Sequence, residues 1–206
     1  MNVHPLAGRS VLMVLSHADD ELVAGWPLLQ DPSVQKELLI VSSDRHNQRR
    51  QWCTHRRFVT EDLCRQLDVP VAILNHNSEF SRMDHRGGAL AAFEREVMGH
   101  IERSNAELVM THNPFGEYGH LDHRFLFDLV ALRTERPLVI TDIRMASDWT
   151  DLPPATNRLQ RAWYQRPLGE VPLDADFYRK VMRFYETRGA WTWSVDPAAR
   201  AGLFGI

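Results

Sequence analysis

Two short runs hold most of the residues able to do chemistry. The first is HADDE, residues 17–21, which follows an apolar run at 11–15 and a serine. Three carboxylates packed together repel one another, and burying them unpaired is costly. A cation is the simplest remedy. Taken alone, the run reads equally as a solvated acidic helix start favoured by the helix dipole. The balance tips with THNPFGEYGHLDHR at 111–124, where His120, Asp122 and His123 fall within four residues. His17 and Asp20 are three apart, so one turn can aim both at a single ion, with Asp19 left adjacent as a base for water. His120 and His123 are also three apart; either or both suit a metal, and spacing alone does not choose. Imidazole nitrogens with a carboxylate fit Zn²⁺, or another divalent first-row ion such as Fe²⁺, better than Ca²⁺ or Mg²⁺. Three protein ligands and one open position is the arrangement of a catalytic zinc, which lowers the pKa of its water to roughly 7.

Such a site needs scaffolding that brings both runs to one place. Residues 11–15 are unbroken and Val-rich, the pattern of a strand buried on both faces of a parallel sheet. Further strands are expected at 37–42, 69–74, 107–111 and 138–141, with helices at 51–67, 89–103 and 123–132. The apolar stripes expected on these helices are Phe58, Leu63, Cys64 and Leu67 on the first, Leu90, Phe93, Val97 and Ile101 on the second, and Phe125, Leu129 and Leu132 on the third. This alternation predicts a single-domain α/β protein over 1–206, a Rossmann-like three-layer sandwich with a mainly parallel sheet. Both runs then leave carboxyl ends of strands, the edge where ligands bind in such folds. Gly116, Gly119 and Pro114 mark the second run as a closely approaching loop. The tail reads as a loop at 146–157, an edge strand at 159–165 and a helix at 174–187 with Phe177, Val181, Phe184 and Tyr185 inward.

Composition narrows the function classes. The chain has 206 residues, 44% hydrophobic and 25% charged, with a formal net charge of −3. That balance gives no reason to expect nucleic acid, and no basic run points to a membrane surface. There is no signal-peptide pattern and no apolar stretch near the roughly 20 residues that span a bilayer. Cys53 and Cys64 form no CxxC pair, so reduced thiols in a cytoplasmic protein are expected. A nucleotide-binding module of the same fold is disfavoured, because neither GxGxxG nor GxxxxGK[ST] follows the first strand.

HADDE after a hydrophobic strand, with GEYGHLDH after a later one, resembles the PIG-L/LmbE-like family of zinc-dependent N-acetylglucosaminyl de-N-acetylases. The likeness rests on 11–25 and 107–126. It implies that His17, Asp20 and His123 bind the metal and that Asp19 is the general base. It further implies that His120, as an imidazolium, stabilises or protonates the tetrahedral intermediate, that Asp122 orients His120, and that Tyr118 polarises the carbonyl. Ala18 and Leu121 stand where the family usually has proline; neither position supplies a ligand.

The activity so implied is removal of an N-acetyl group from an amino sugar or glycoconjugate by a zinc-activated water. The alternative is amide or ester deacylation of a non-sugar substrate on the same centre. The expected partner is a small N-acetylated molecule, with no nucleic acid and no membrane anchor; a homo-oligomer is compatible with the sequence. Candidate substrate contacts are Arg56 and Arg57 in the helix at 51–67, His46 after the second strand, and Arg82 and Asp84 after the third. Glu21 reads as a first-turn dipole partner or buried ion-pair member rather than a catalyst, and His112 as a pocket or core histidine. Trp149, Trp191 and Trp193 offer either a sugar-stacking surface or hydrophobic anchors.

Overall fold

A computed structural model describes residues 4–43, 51–83, 88–144, 166–190 and 200–206. Seven strands form one sheet in the order β3-β2-β1-β4-β5-β7-β6. They are β1 (Ser10–His17), β2 (Gln35–Ser42), β3 (Val71–His76), β4 (Leu108–Thr111), β5 (Leu138–Arg144), β6 (Arg166–Pro172) and β7 (Arg200–Gly205). The first five run parallel; β7 is antiparallel to both β5 and β6. The protein is therefore a Rossmann-like α/β fold with a mainly parallel sheet flanked by helices.

The apolar run in β1 explains its central place. Val11, Met13 and Leu15 point into one core with Trp26, Leu28, Ile40 and Tyr185. Leu12 and Val14 point into the other, with Phe93, Val97, Leu126 and Val130. Side chains alternate along a strand, so only a strand covered on both faces accommodates apolar residues at every position. β1 pairs with β2 on one side and β4 on the other. The chain thus reverses its direction of travel across the sheet at β1/β4, opening a crevice at their carboxyl ends.

Eight helical segments accompany the sheet. α1 (Asp20–Val23) and α2 (Trp26–Leu29) are single turns, and a 3₁₀ turn spans Phe80–Arg82. α3 (Gln51–Gln66), α4 (Ala89–Arg103), α5 (Gly116–Gly119), α6 (Leu121–Arg133) and α7 (Ala175–Glu186) complete the set among the described residues. The helix expected after HADDE is broken at Gly25, where a Cβ would stand 3.0 Å from the Glu21 carbonyl oxygen.

Two helices bury most of the expected stripe but not all of it: Leu63, Cys64 and Leu129 are buried, and Leu67 and Phe125 pack partly buried against the cores. On α3, Phe58 is exposed, while Arg56, Val59, Thr60, Leu63 and Cys64 are buried. On α6, Leu132 is exposed, and Asp122, His123, Leu126, Leu129 and Val130 face inward. In each case polar residues that meet the HADDE run join the buried stripe. α4 buries Phe93, Val97 and Ile101 as expected, but Leu90 is only half-buried. α7 buries Tyr178, Val181 and Tyr185, with Phe177 and Phe184 partly buried beside them.

The antiparallel pair β6/β7 was not anticipated. β6 reads RPLGEVP, and its prolines are tolerated because it is an edge strand. The loop expected at 146–157, the strand expected at 159–165, and Trp149, Trp191 and Trp193 lie outside the described residues. No helix among the described residues is long and apolar enough to cross a membrane.

Candidate metal centre

The two motifs meet at the β1/β4 crevice. β1 ends on His17, the chain turns through Asp19 in the left-handed region (φ 101°), and α1 begins at Asp20. The turn points Asp20 back along the strand, so the His17 N–H donates to Asp20 Oδ2 at 2.7 Å. Beyond β4, the loop from His112 leads through α5 to His120, which caps α6 by accepting the Asp122 N–H at Nδ1 (3.3 Å). α6 then presents Asp122 and His123, both buried, to the HADDE turn.

Asp20 Oδ2 is the meeting point. His17 Nδ1 lies 3.3 Å from it and His123 Nε2 also 3.3 Å. Behind each imidazole stands a carboxylate. His17 Nε2 is 3.1 Å from Asp122 Oδ2, and His123 Nδ1 is 2.6 Å from Glu117 Oε2. His123 Nε2 itself is fully buried with no hydrogen-bond partner. A buried nitrogen left so is expensive unless something else binds it, and a carboxylate–histidine pair aiming its far nitrogen at a common point is how ligating histidines are held.

The donor atoms of His17, His120 and His123 lie within 4.8 Å of one another, as do those of Asp20, His112 and His123. His112 has both nitrogens engaged: Nε2 accepts the Ser16 N–H (3.0 Å) and Nδ1 faces Glu117 Oε2 (3.0 Å). The donors with an atom to offer are therefore His17 Nδ1, Asp20 Oδ2 and His123 Nε2, with His120 close to the two histidines. Nitrogen and carboxylate donors of this kind fit a divalent first-row ion such as Zn²⁺ or Fe²⁺.

The protonation pattern follows from the same contacts. Burial opposes ionisation of Asp20, but His123, His112 and His17 outweigh it and hold the carboxyl well below its usual range. Burial also opposes charge on His17, yet Asp122 and Asp20 raise its pKa to about 9. A cation bound at His17 would compete with that proton. Asp19 shifts upward: burial, Asp20 and Glu21 outweigh the lowering by Arg56. His120 falls to about 4, through burial and the repulsion of His123 and His17.

Several expected residues assemble here: His17, Asp19, Asp20, Tyr118, His120, Asp122 and His123. The Tyr118 ring centroid is 5.8 Å from that of His120 and 5.5 Å from that of His123. Three expected roles are corrected by the geometry. Asp122 does not direct its carboxylate at His120 but at His17, Ser81 and the Glu79 N–H. The imidazolium expected of His120 is disfavoured by its burial and by His123 and His17 nearby, and its Nδ1 accepts the Asp122 N–H. Arg56 is not turned out for substrate; it is buried in an ion pair with Asp19 and donates from Nε to the Ala190 carbonyl at 3.2 Å.

Arg57 runs along its own helix to Glu61 at 3.0 Å. Arg82 is exposed and pairs with Glu79 at 3.5 Å. His46 and Asp84 lie outside the described residues. Glu21 is fully buried and structural in its contacts: it accepts from Thr60 Oγ1 (3.2 Å), from the Tyr185 hydroxyl and from the Asp19 N–H (2.9 Å), joining the turn to α3 and α7. Glu117 is the residue the sequence did not single out, and His112, expected as a pocket or core histidine, lines the centre beside it. Glu117 lies inside the GEYGHLDH motif, and the signal available was an acid three residues before His120.

No protein-family model matches the chain, and no curated protein sequence matches it. Solved structures do resemble it. The A40926 pseudoaglycone deacetylase Dbv21 superposes with a TM-score of 0.63 at 15% identity, over 97% of this chain and 98% of that one. GalB, the 4-carboxy-2-hydroxymuconate hydratase from Pseudomonas putida KT2440, gives a TM-score of 0.52 at 14% identity, over 96% of both chains. A zinc-inhibited form of the teicoplanin deacetylase Orf2 gives 0.51 at 13% identity, over 96% of this chain and 98% of that one. At these identities the likeness is one of fold, and it runs along nearly the whole chain.

Proposed function

We propose that this protein is a metal-dependent hydrolase that removes an N-acetyl group from an amino sugar or glycoconjugate. The observation that carries the reading is the convergence of His17 Nδ1 and His123 Nε2 on Asp20 Oδ2, each 3.3 Å away, with Asp19 beside them. His17, Asp20 and His123 would hold Zn²⁺ or Fe²⁺. When bound, such an ion supplies Lewis acidity to a carbonyl and makes water more acidic. Two of the structural neighbours named above are deacetylases, one of them described in a zinc-inhibited form, which is compatible with this chemistry.

The remaining work falls to the chain's own groups. Asp19, buried beside the proposed ligands, takes a proton from the attacking water at its carboxylate. Arg56 holds that carboxylate in place. His120, neutral with its proton on Nε2, donates to the oxygen that becomes negative as the carbonyl carbon turns tetrahedral. Tyr118 stands beside His120 as a second donor. The C–N bond then breaks, the amine takes the proton held by Asp19, and acetic acid leaves, losing its own proton to solvent to become acetate.

The test is a purified protein analysed for bound metal, then assayed for acetate release from N-acetylglucosamine derivatives and from other N-acylated compounds, with chelation and metal add-back. One equivalent of a first-row ion and chelator-reversible acetate release from the sugars is the expected result. Release from the non-sugar compounds alone shifts the substrate to another class. GalB, a hydratase of like fold, motivates one more arm: water addition to an unsaturated acid with no acetate from any amide would overturn the hydrolase reading.

A further inference from the structure

We infer that Glu117 is a positioning residue for the metal centre, setting which nitrogen of His123 faces the ion; this rests on the functional reading above. One oxygen of Glu117 serves two imidazoles: Oε2 lies 2.6 Å from His123 Nδ1 and 3.0 Å from His112 Nδ1. Its other oxygen, Oε1, accepts the Asn113 N–H at 3.1 Å. The carboxylate is almost fully covered, with its side chain 5% exposed. All three contacts need an acceptor, which an ionised carboxylate alone provides on both oxygens.

The consequence reaches both halves of the centre. With Nδ1–H tied to Glu117, His123 has only Nε2 to offer, and that atom is the buried one without a partner. With Nδ1–H of His112 tied to the same oxygen, His112 Nε2 is free to accept the Ser16 N–H at the end of β1. Ser16 precedes His17 directly. Glu117 therefore orients one proposed ligand through its ring and steadies the backbone leading to another through His112, whose ring stacks on His123 at 3.8 Å.

The backbone supports a dedicated role. Glu117 sits at φ 54°, ψ −69°, a conformation that side chains with a Cβ rarely adopt. Strain of this sort persists only where surrounding contacts over-determine it, and it concentrates at functional sites. Asn113 supplies those contacts, its Oδ1 accepting both the Phe115 N–H (2.9 Å) and the Glu117 N–H (3.3 Å).

The substitution that tests this is Glu117→Gln, which keeps shape but turns one acceptor into a donor. Whichever way the amide is placed, it either faces the Asn113 N–H with a donor or reverses a histidine tautomer. Cobalt(II) titration of both proteins, followed by calorimetry and the visible ligand-field bands, is expected to show affinity reduced about 10- to 100-fold with altered bands in the variant. Unchanged affinity and bands in a folded variant would overturn the inference alone. No cobalt uptake by the unsubstituted protein would overturn the functional reading, and this inference with it. Should the variant not fold, nitrogen-15 NMR of the zinc-loaded natural sequence decides: His123 must hold its proton on Nδ1 and ligate through Nε2, and the reverse assignment refutes the proposal.

Discussion

His17 and Asp122 stand 105 residues apart in the chain, yet His17 Nε2 meets Asp122 Oδ2 at 3.1 Å. Asp122 also accepts from the Glu79 N–H (2.6 Å), the Ser81 N–H (3.0 Å) and the Ser81 hydroxyl (2.5 Å). It thereby clasps the segment after β3 to the end of β1 across the site. Asp122→Ala would leave these part-buried donors without an acceptor, so we expect a loss of about 1–3 kcal/mol of stability. Metal affinity should fall about 10- to 100-fold as His17 is released. Urea unfolding and metal titration measure the two effects; a variant as stable as the natural protein would show that the clasp contributes little.

Asp19→Asn separates binding from catalysis. The amide keeps the shape of the turn and leaves His17, Asp20 and His123 in place, so metal content should match the natural protein. Without a carboxylate to accept the proton of water, turnover should drop about 10²- to 10⁴-fold. Arg56, buried opposite Asp19, would lose its counter-charge, and a lower unfolding midpoint should accompany the loss. Near-normal turnover would show that Asp19 is not the base.

Tyr185→Phe addresses Glu21, the acid in the motif that we place outside the chemistry. The Tyr185 hydroxyl is bonded to Glu21 Oε1 and, at 2.7 Å, to Thr60 Oγ1. Deleting it should cost about 1–3 kcal/mol while leaving metal affinity and turnover close to normal. A large change in metal affinity without a change in unfolding midpoint would instead tie this network to the centre itself.

His4 gives the stability a pH dependence remote from the site. Its Nδ1 accepts the Leu6 N–H (3.1 Å) and its Nε2 bonds the Pro27 carbonyl (3.0 Å), a pattern open only to the neutral ring. Burial, partly offset by Asp31, lowers its pKa below the ordinary 6.5. The unfolded chain therefore binds a proton more readily than the folded one. The His4 contribution is complete above about pH 6.5 and is lost as pH falls through the depressed folded value. Comparing urea midpoints at pH 7.5 and 5.5, about one unit either side of the ordinary histidine value, the natural protein should lose more stability than His4→Gln; equal losses would exclude His4 as the source.

The sequence by itself determined the framework. A short Val-rich apolar run bounded by polar residues fits a strand covered on both faces, so β1, β2 and β4 and their carboxyl-end loops were legible from 11–15, 37–42 and 107–111. From that followed the meeting of HADDE and GHLDH at one crevice. Only the tertiary structure decided how the side chains divide their work. A histidine has two nitrogens, and which one is free depends on the acid behind the other: Asp122 for His17, Glu117 for His123. Those partners come from distant elements, beyond the reach of local periodicity. The same cause widened the buried faces of α3 and α6. A stripe counted from apolar residues alone leaves out Arg56, Thr60, Asp122 and His123, which go inside because partners across the sheet edge satisfy their charge and hydrogen bonds.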